Sequence, residues 1–124
     1  MKQLVFAAVI ISIASTGSAV CGEADVERVE IKQSSDGSYR FDVTVRHADT
    51  GWDHYADKWE VVGADGTVYG VRELAHPHVN EQPFTRSQSG IEIPDAVSEV
   101  TVRAHDKVHG FGGKEITISL TGTL

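Results

Sequence analysis

The strongest constraint on the fold is a two-residue alternation of apolar and polar side chains. In residues 39–46, Tyr, Phe, Val and Val alternate with Arg, Asp, Thr and Arg, and residues 28–32, 100–105 and 116–120 repeat the pattern. Because successive side chains of a strand point to opposite faces, each segment is expected to be a half-buried β-strand. Less regular strands are expected at 59–64, 67–74 and 84–93, and no segment shows a sustained helical period.

Seven short strands separated by turn residues are typical of a β-sandwich. We therefore predict an all-β domain, an immunoglobulin- or fibronectin-like antiparallel β-sandwich of about seven strands. Trp59, at the start of the third predicted strand, is consistent with the large core aromatic of such folds. The alternative is a small β-barrel.

The first residues have the features of an export signal. A short basic start is followed by apolar residues 4–14 and by small residues 15–19, an apolar run too short to span a membrane. We predict a signal peptide over residues 1–21, cleaved between 19 and 24, and a single domain over 22–124. Val20 precedes Cys21, where lipid attachment requires a smaller residue, so we expect a periplasmic or secreted protein without a lipid anchor.

The charge of the mature chain restricts its partners. Without residues 1–21, which contain one basic residue, 10 basic and 18 acidic side chains give a net charge of −8. This sign argues against nucleic acid and against anionic membrane surfaces. The single cysteine, Cys21, provides no disulfide framework. The expected partners are a metal ion and a periplasmic protein.

Three of the predicted connections between strands are long: residues 47–58, 73–83 and 105–113. The other three are short and rich in Gly, Asp or Pro. If consecutive strands alternate in direction, the long connections lie together at one end of the sandwich. They contain all six histidines of the chain, which are His47, His54, His76, His78, His105 and His109.

Converging imidazoles are the commonest nitrogen ligands of divalent transition metals. We predict a metal site formed by a subset of the six histidines, with His47, His54, His76 and His78 as the first candidates, His109 next and His105 last. His47 continues the inward parity of the second strand, whereas His105 has the outward parity of its strand. Copper(II) or zinc is expected, iron is less favoured, and metal handling or sensing is more expected than catalysis.

Acidic and aromatic residues of the same loops leave alternatives open. The carboxylates could accept hydrogen bonds from ligand imidazoles, act as oxygen ligands or remain solvated charges; they are Asp49, Asp53, Asp57, Glu73, Glu81 and Asp106. A second hypothesis is a metal-free recognition module that holds a protein or ligand. It requires solvent-facing histidines and an exposed patch of Trp52, Tyr55 and Phe111.

Two short segments resemble the iron-binding loops of the superoxide reductases, which are also immunoglobulin-like β proteins. His54-Tyr55 followed by Trp59, with His47 upstream, is similar to the paired-histidine loop, and His109-Gly110-Phe111 is similar to the C-terminal loop. The resemblance covers about 20 residues. The family's cysteine ligand has no counterpart, and His105 stands near its place. The resemblance implies a third hypothesis, a redox enzyme with iron or copper bound by histidines.

Overall fold

The computed structural model describes residues 22–120 of the protein. Within this range the regular secondary structure consists entirely of β-strands. The seven strands are β1 Asp25–Gln33, β2 Tyr39–Arg46, β3 Ala56–Val62, β4 Val68–Glu73, β5 Phe84–Ile91, β6 Glu99–Asp106 and β7 Ile116–Ser119. Nothing in this range is a helix long and apolar enough for a membrane crossing. The predicted signal peptide, residues 1–21, lies outside the described residues.

The strands form two antiparallel sheets. One sheet has the order β1-β2-β5 and the other β4-β3-β6-β7, and every pairing within them is antiparallel. For residues 22–120, the predictions of an all-β fold and of seven strands are confirmed. β3 begins at Ala56, three residues before the predicted start, because Ala56 pairs with Asp106 at the end of β6.

The core consists of the inward faces of both sheets. Phe41, Val43 and Val45 of β2 are completely buried, and the polar residues between them face outward, as the alternation predicts. β3 contributes Trp59, which is also completely buried. The other buried apolar residues of this core include Val26, Val61, Phe84, Val100, Val102 and Ala104.

Strand direction brings the termini of four strands to one end of the sandwich. The end of β2 lies beside the start of β1, since Arg46 pairs with Asp25, and the end of β6 lies beside the start of β3. The loops that follow β2 and β6 are in contact, because the rings of His54 and His109 are 5.0 Å apart. We call this end the histidine pole, formed by residues 22–25, 47–55 and 106–113.

Candidate metal centre

Three potential ligands converge at the histidine pole. His47, His54 and Asp106 each place one ligand atom within 4.8 Å of the others, the one such group among residues 22–120. His47 follows β2 and Asp106 ends β6, so both continue the inward parity of strands whose preceding inward residues, Val45 and Ala104, belong to the core. The group is therefore a polar layer that closes the core at this end.

Asp49 sets the orientation of the His47 ring. His47 Nδ1 lies 2.5 Å from Asp49 Oδ1, and both side chains are completely buried. Because an ionised carboxylate only accepts hydrogen bonds, Nδ1 is the donor, and this bond directs Nε2 toward the group. Asp49 is itself held by the backbone N–H groups of Ala56, at 3.1 Å, and His78, at 2.7 Å.

The ligand atoms approach one another closely. The Nε2 atoms of His47 and His54 are 3.2 Å apart, and His54 Nε2 is also 3.2 Å from Asp106 Oδ1. His47 Nε2 is 3.9 Å from Asp106 Oδ2. One proton can link two of these atoms at a time, whereas a metal ion can accept a lone pair from each of them.

Asp106 uses only one of its carboxylate oxygens. Oδ1 accepts hydrogen bonds from the backbone N–H groups of Val108, at 2.9 Å, and His109, at 2.7 Å, whereas the buried Oδ2 has no hydrogen-bond partner. Burial raises the pKa of Asp106, but these N–H groups, the His109 ring and nearby His47 together outweigh burial and hold the pKa below its ordinary value. A charged oxygen without a hydrogen-bond partner is thus directed into the group.

His109 lies at the edge of the group. Its Nδ1 is 3.2 Å from Asp106 Oδ1, and its side chain is 37% exposed, compared with 23% for His54. The ring therefore borders the three converging ligands on their solvent side.

The structure does not bring the other three predicted histidines into this group. The His78 ring stacks on Phe84 at a centroid distance of 3.9 Å, and its Nε2 is 2.9 Å from an Arg86 nitrogen. The exposed His76 ring packs against His78, with centroids 4.6 Å apart. His105 keeps its outward parity, with Nδ1 2.6 Å from Asp57 Oδ1.

The loop aromatics do not share an exposed patch. Trp52 is 65% exposed, but its ring meets the buried Tyr55 edge to face. Phe111 lies under the guanidinium of Arg103, 4.1 Å from its ring centroid, and also packs edge to face against His105. The hypothesis of a metal-free recognition surface requires an exposed aromatic patch and solvent-facing histidines. The packed aromatics and the convergence of His47 and His54 differ from this requirement.

The sequence does not distinguish two buried carboxylates from the other acidic residues of the long loops. Asp49 and Asp106 were only two of six acidic residues, yet they are buried, whereas Asp53, Glu73 and Glu81 are exposed. Asp106 had a usable signal, because it follows Ala104 by two residues and shares its inward parity. Asp49 had none, because its contacts depend on the fold of the loop.

Comparisons with known proteins give one clear sequence relative. No family model matches the chain. A curated protein of Halomicrobium mukohataei, named "Putative lipoprotein", is 42% identical over 96 residues, which are 77% of this chain and 47% of that protein. The chain thus spans about half the length of this relative.

Two solved structures are similar to this chain in fold. The crystal structure of a hypothetical protein from Pyrococcus horikoshii has a TM-score of 0.53 and 15% identity, and the match covers 83% of this chain and 94% of that one. It shows a shared fold. A superoxide reductase from Giardia intestinalis has a TM-score of 0.45 and 16% identity over 74% of this chain and 95% of that one, too weak a likeness to support a conclusion about the site.

Proposed function

We propose that this chain is an exported β-sandwich protein that binds one divalent transition metal ion at the histidine pole. His47, His54 and Asp106 would be the ligands, and His109 would be a fourth donor. The observation that carries the proposal is the buried Oδ2 of Asp106, which has no hydrogen-bond partner and lies 3.9 Å from His47 Nε2. The role would be metal handling or sensing.

The energetics of burial support this proposal. An unpartnered polar group in the interior costs about 1–3 kcal/mol, and a charged one costs more. The fold accepts this cost beside two facing imidazole nitrogens, whose lone pairs repel one another unless a proton or a metal ion lies between them. A metal ion would satisfy all of these atoms together.

The donor set selects the class of metal. Imidazole nitrogen and carboxylate oxygen suit borderline ions, so zinc and copper(II) are the proposed metals, and soft copper(I) is disfavoured. Two histidines and one carboxylate are also the donor set of non-haem iron(II) sites. This observation favours a second candidate function, a redox protein with iron held by the same three residues.

The proposal extends to the chain as a whole. The strand orders β1-β2-β5 and β4-β3-β6-β7 support an immunoglobulin/fibronectin-like sandwich formed by residues 22–124 after removal of residues 1–21. Export is supported by the leader and by the relative named as a lipoprotein. The intact mass of the exported protein tests whether Cys21 carries a lipid, and we expect an unmodified chain.

Metal titration tests the proposed function. The protein is expressed from its complete sequence, and any bound metal is removed with a chelator. It is then titrated by calorimetry with zinc, with copper(II) and, in the absence of oxygen, with iron(II). We expect one tight equivalent near pH 7 and release below about pH 6, as the imidazoles protonate. Elemental analysis of protein from the native source identifies the resident metal, and an absorption band from a coloured ion would favour the redox candidate.

Asp106→Asn isolates the unpartnered oxygen. An amide oxygen in place of Oδ1 still accepts the N–H groups of Val108 and His109, so the variant is expected to fold. Its metal affinity should fall by more than the ~10- to 100-fold that loss of an outer partner costs. His105→Gln, also at a carboxylate partner but outside the group, is the control. Equal affinity of Asp106→Asn and His105→Gln would refute the site.

A further inference from the structure

The segment that precedes β1 also reaches the ligand group. The carbonyl oxygen of Gly22 lies 2.9 Å from His47 Nε2 and 3.3 Å from His54 Nε2. Since the two nitrogens are 3.2 Å apart, the three atoms form a small triangle. The residues from 22 to 25, which we call the N-terminal strap, therefore belong to the wall of the group.

Donor and acceptor chemistry shows what this triangle lacks. A carbonyl oxygen has lone pairs and no hydrogen, and His47 Nε2 also presents a lone pair whenever the single proton of the ring is on Nδ1, which donates to Asp49. Two acceptors at 2.9 Å are stable only when a proton or a metal ion lies between them. Oxygen from a backbone carbonyl is an ordinary ligand for harder and borderline cations.

Three glycines allow the strap to approach. Gly22 has a φ of +125°, and a Cβ on it would lie 2.8 Å from His109 Cε1. Opposite the strap, a Cβ on Gly113 would lie 2.1 Å from the carbonyl oxygen of Ala24, and one on Gly112 would lie 2.9 Å from Glu23 Cγ. Side chains at these positions would push the strap away, which gives a role to the glycine-rich run after His109.

Hydrogen bonds attach the strap on the same side. Asp25 Oδ1 accepts a hydrogen bond from the backbone N–H of Lys114 at 2.8 Å, and the N–H of Val26 donates to the carbonyl of Lys114 at 2.8 Å. Ala24, between these bonds and Gly22, is buried. The strap is thus fixed at its far end and directed toward the imidazoles at Gly22.

We propose that the Gly22 carbonyl oxygen is a backbone ligand of the metal ion, so that ion binding fastens the N-terminal strap over the site. This rests on the proposed function, because it needs a metal held by His47, His54 and Asp106. It also requires that the leader be cleaved before Gly22. A mature protein that begins after residue 22 would overturn the proposal, which N-terminal sequencing decides.

A selective label observes this carbonyl directly. Gly22-Glu23 is the one Gly-Glu pair in the sequence, so carbonyl-¹³C glycine combined with ¹⁵N glutamate yields a single carbonyl–nitrogen correlation from Gly22. During a zinc titration of protein from the complete chain, this ¹³C signal should shift and stop changing at one equivalent. Zinc binding at one equivalent with an unmoved signal would overturn the ligand role and leave the proposed function standing. No zinc uptake would overturn both.

Gly22→Ala measures the contribution of the strap. The added Cβ meets the His109 ring, so zinc affinity should fall about 10-fold or more with the stoichiometry kept at one. Gly37→Ala is the matched control, because Gly37 also has a positive φ of 91° but has nothing within 4 Å of the added Cβ. Equal zinc affinity in the two variants would contradict the proposal.

Discussion

Asp49 offers a sharp test of how the candidate metal centre is supported. It accepts the N–H of His78 through Oδ2 and the N–H of Ala56 through Oδ1, beside the bond from His47. Asp49→Ala leaves two buried backbone donors without acceptors, at about 1–3 kcal/mol each. The expected loss, about 2–6 kcal/mol, is a large part of the ~5–15 kcal/mol that stabilises a typical domain.

Asp49→Asn makes the test independent of complete unfolding. The asparagine keeps one oxygen as an acceptor, but its NH₂ group replaces the other oxygen and faces an N–H donor. We therefore expect the free energy of unfolding to fall by about 1–3 kcal/mol. Because His47 also loses the group that orients it, metal affinity should fall about 10- to 100-fold. Urea unfolding of the metal-free protein measures the first effect, and calorimetric titration measures the second.

The control for Asp49 is in the same loop. Asp53 is exposed, and Asp53→Asn should change the free energy of unfolding by no more than about 0.5 kcal/mol. The reasoning is refuted if Asp49→Asn has the stability and the metal affinity of Asp53→Asn.

Two further predictions concern pH and metal-linked stability. Burial lowers the pKa of His78 from 6.5, and nearby Arg86 and His76 lower it further. As pH decreases, the His78 side chain is therefore protonated in the unfolded state before it is protonated in the folded state. The stability of the metal-free protein should consequently fall as pH decreases below 6.5. Urea unfolding at several pH values should show a flatter profile for His78→Phe, and an unchanged profile would contradict this. Metal at 100 times its Kd should stabilise the protein by about 2.7 kcal/mol, or raise the Tm by about 10–20 °C. Calorimetric melting should show no comparable rise for Asp106→Asn, and an equal rise would contradict the site.

Strand parity explains which parts of the site are predictable from sequence. The two-residue alternation of β2 predicts that His47 turns inward, and in the structure it is buried. The same rule applied to β6 selects Asp106 and turns His105 outward. Position in a long connection is a weaker guide, because it also selects His76 and His78, whereas the His78 ring stacks on Phe84 away from the group.

Contacts between distant segments account for what the sequence does not reveal. The strap and the glycine pair, Gly112 and Gly113, are separated by about 90 residues, and only contacts between the segments that precede β1 and β7 bring them together. No local pattern at Gly22 signals that its carbonyl faces two imidazoles. The bond from His47 to Asp49 spans only two residues, yet it also depends on His78, which arrives from another loop.

The polar layer at the histidine pole is a departure from the pattern that otherwise builds this fold. Apolar residues at the inward positions of His47 and Asp106 would extend the core and avoid the cost of a buried unpartnered oxygen. Hydrogen bonding accounts for Asp106 Oδ1, which closes the turn after β6, but it does not account for Oδ2. Positions where a chain breaks its own pattern at a cost in stability are expected to be functional. Because this departure combines a carboxylate, two facing imidazoles and a backbone carbonyl, a cation explains it more completely than packing does.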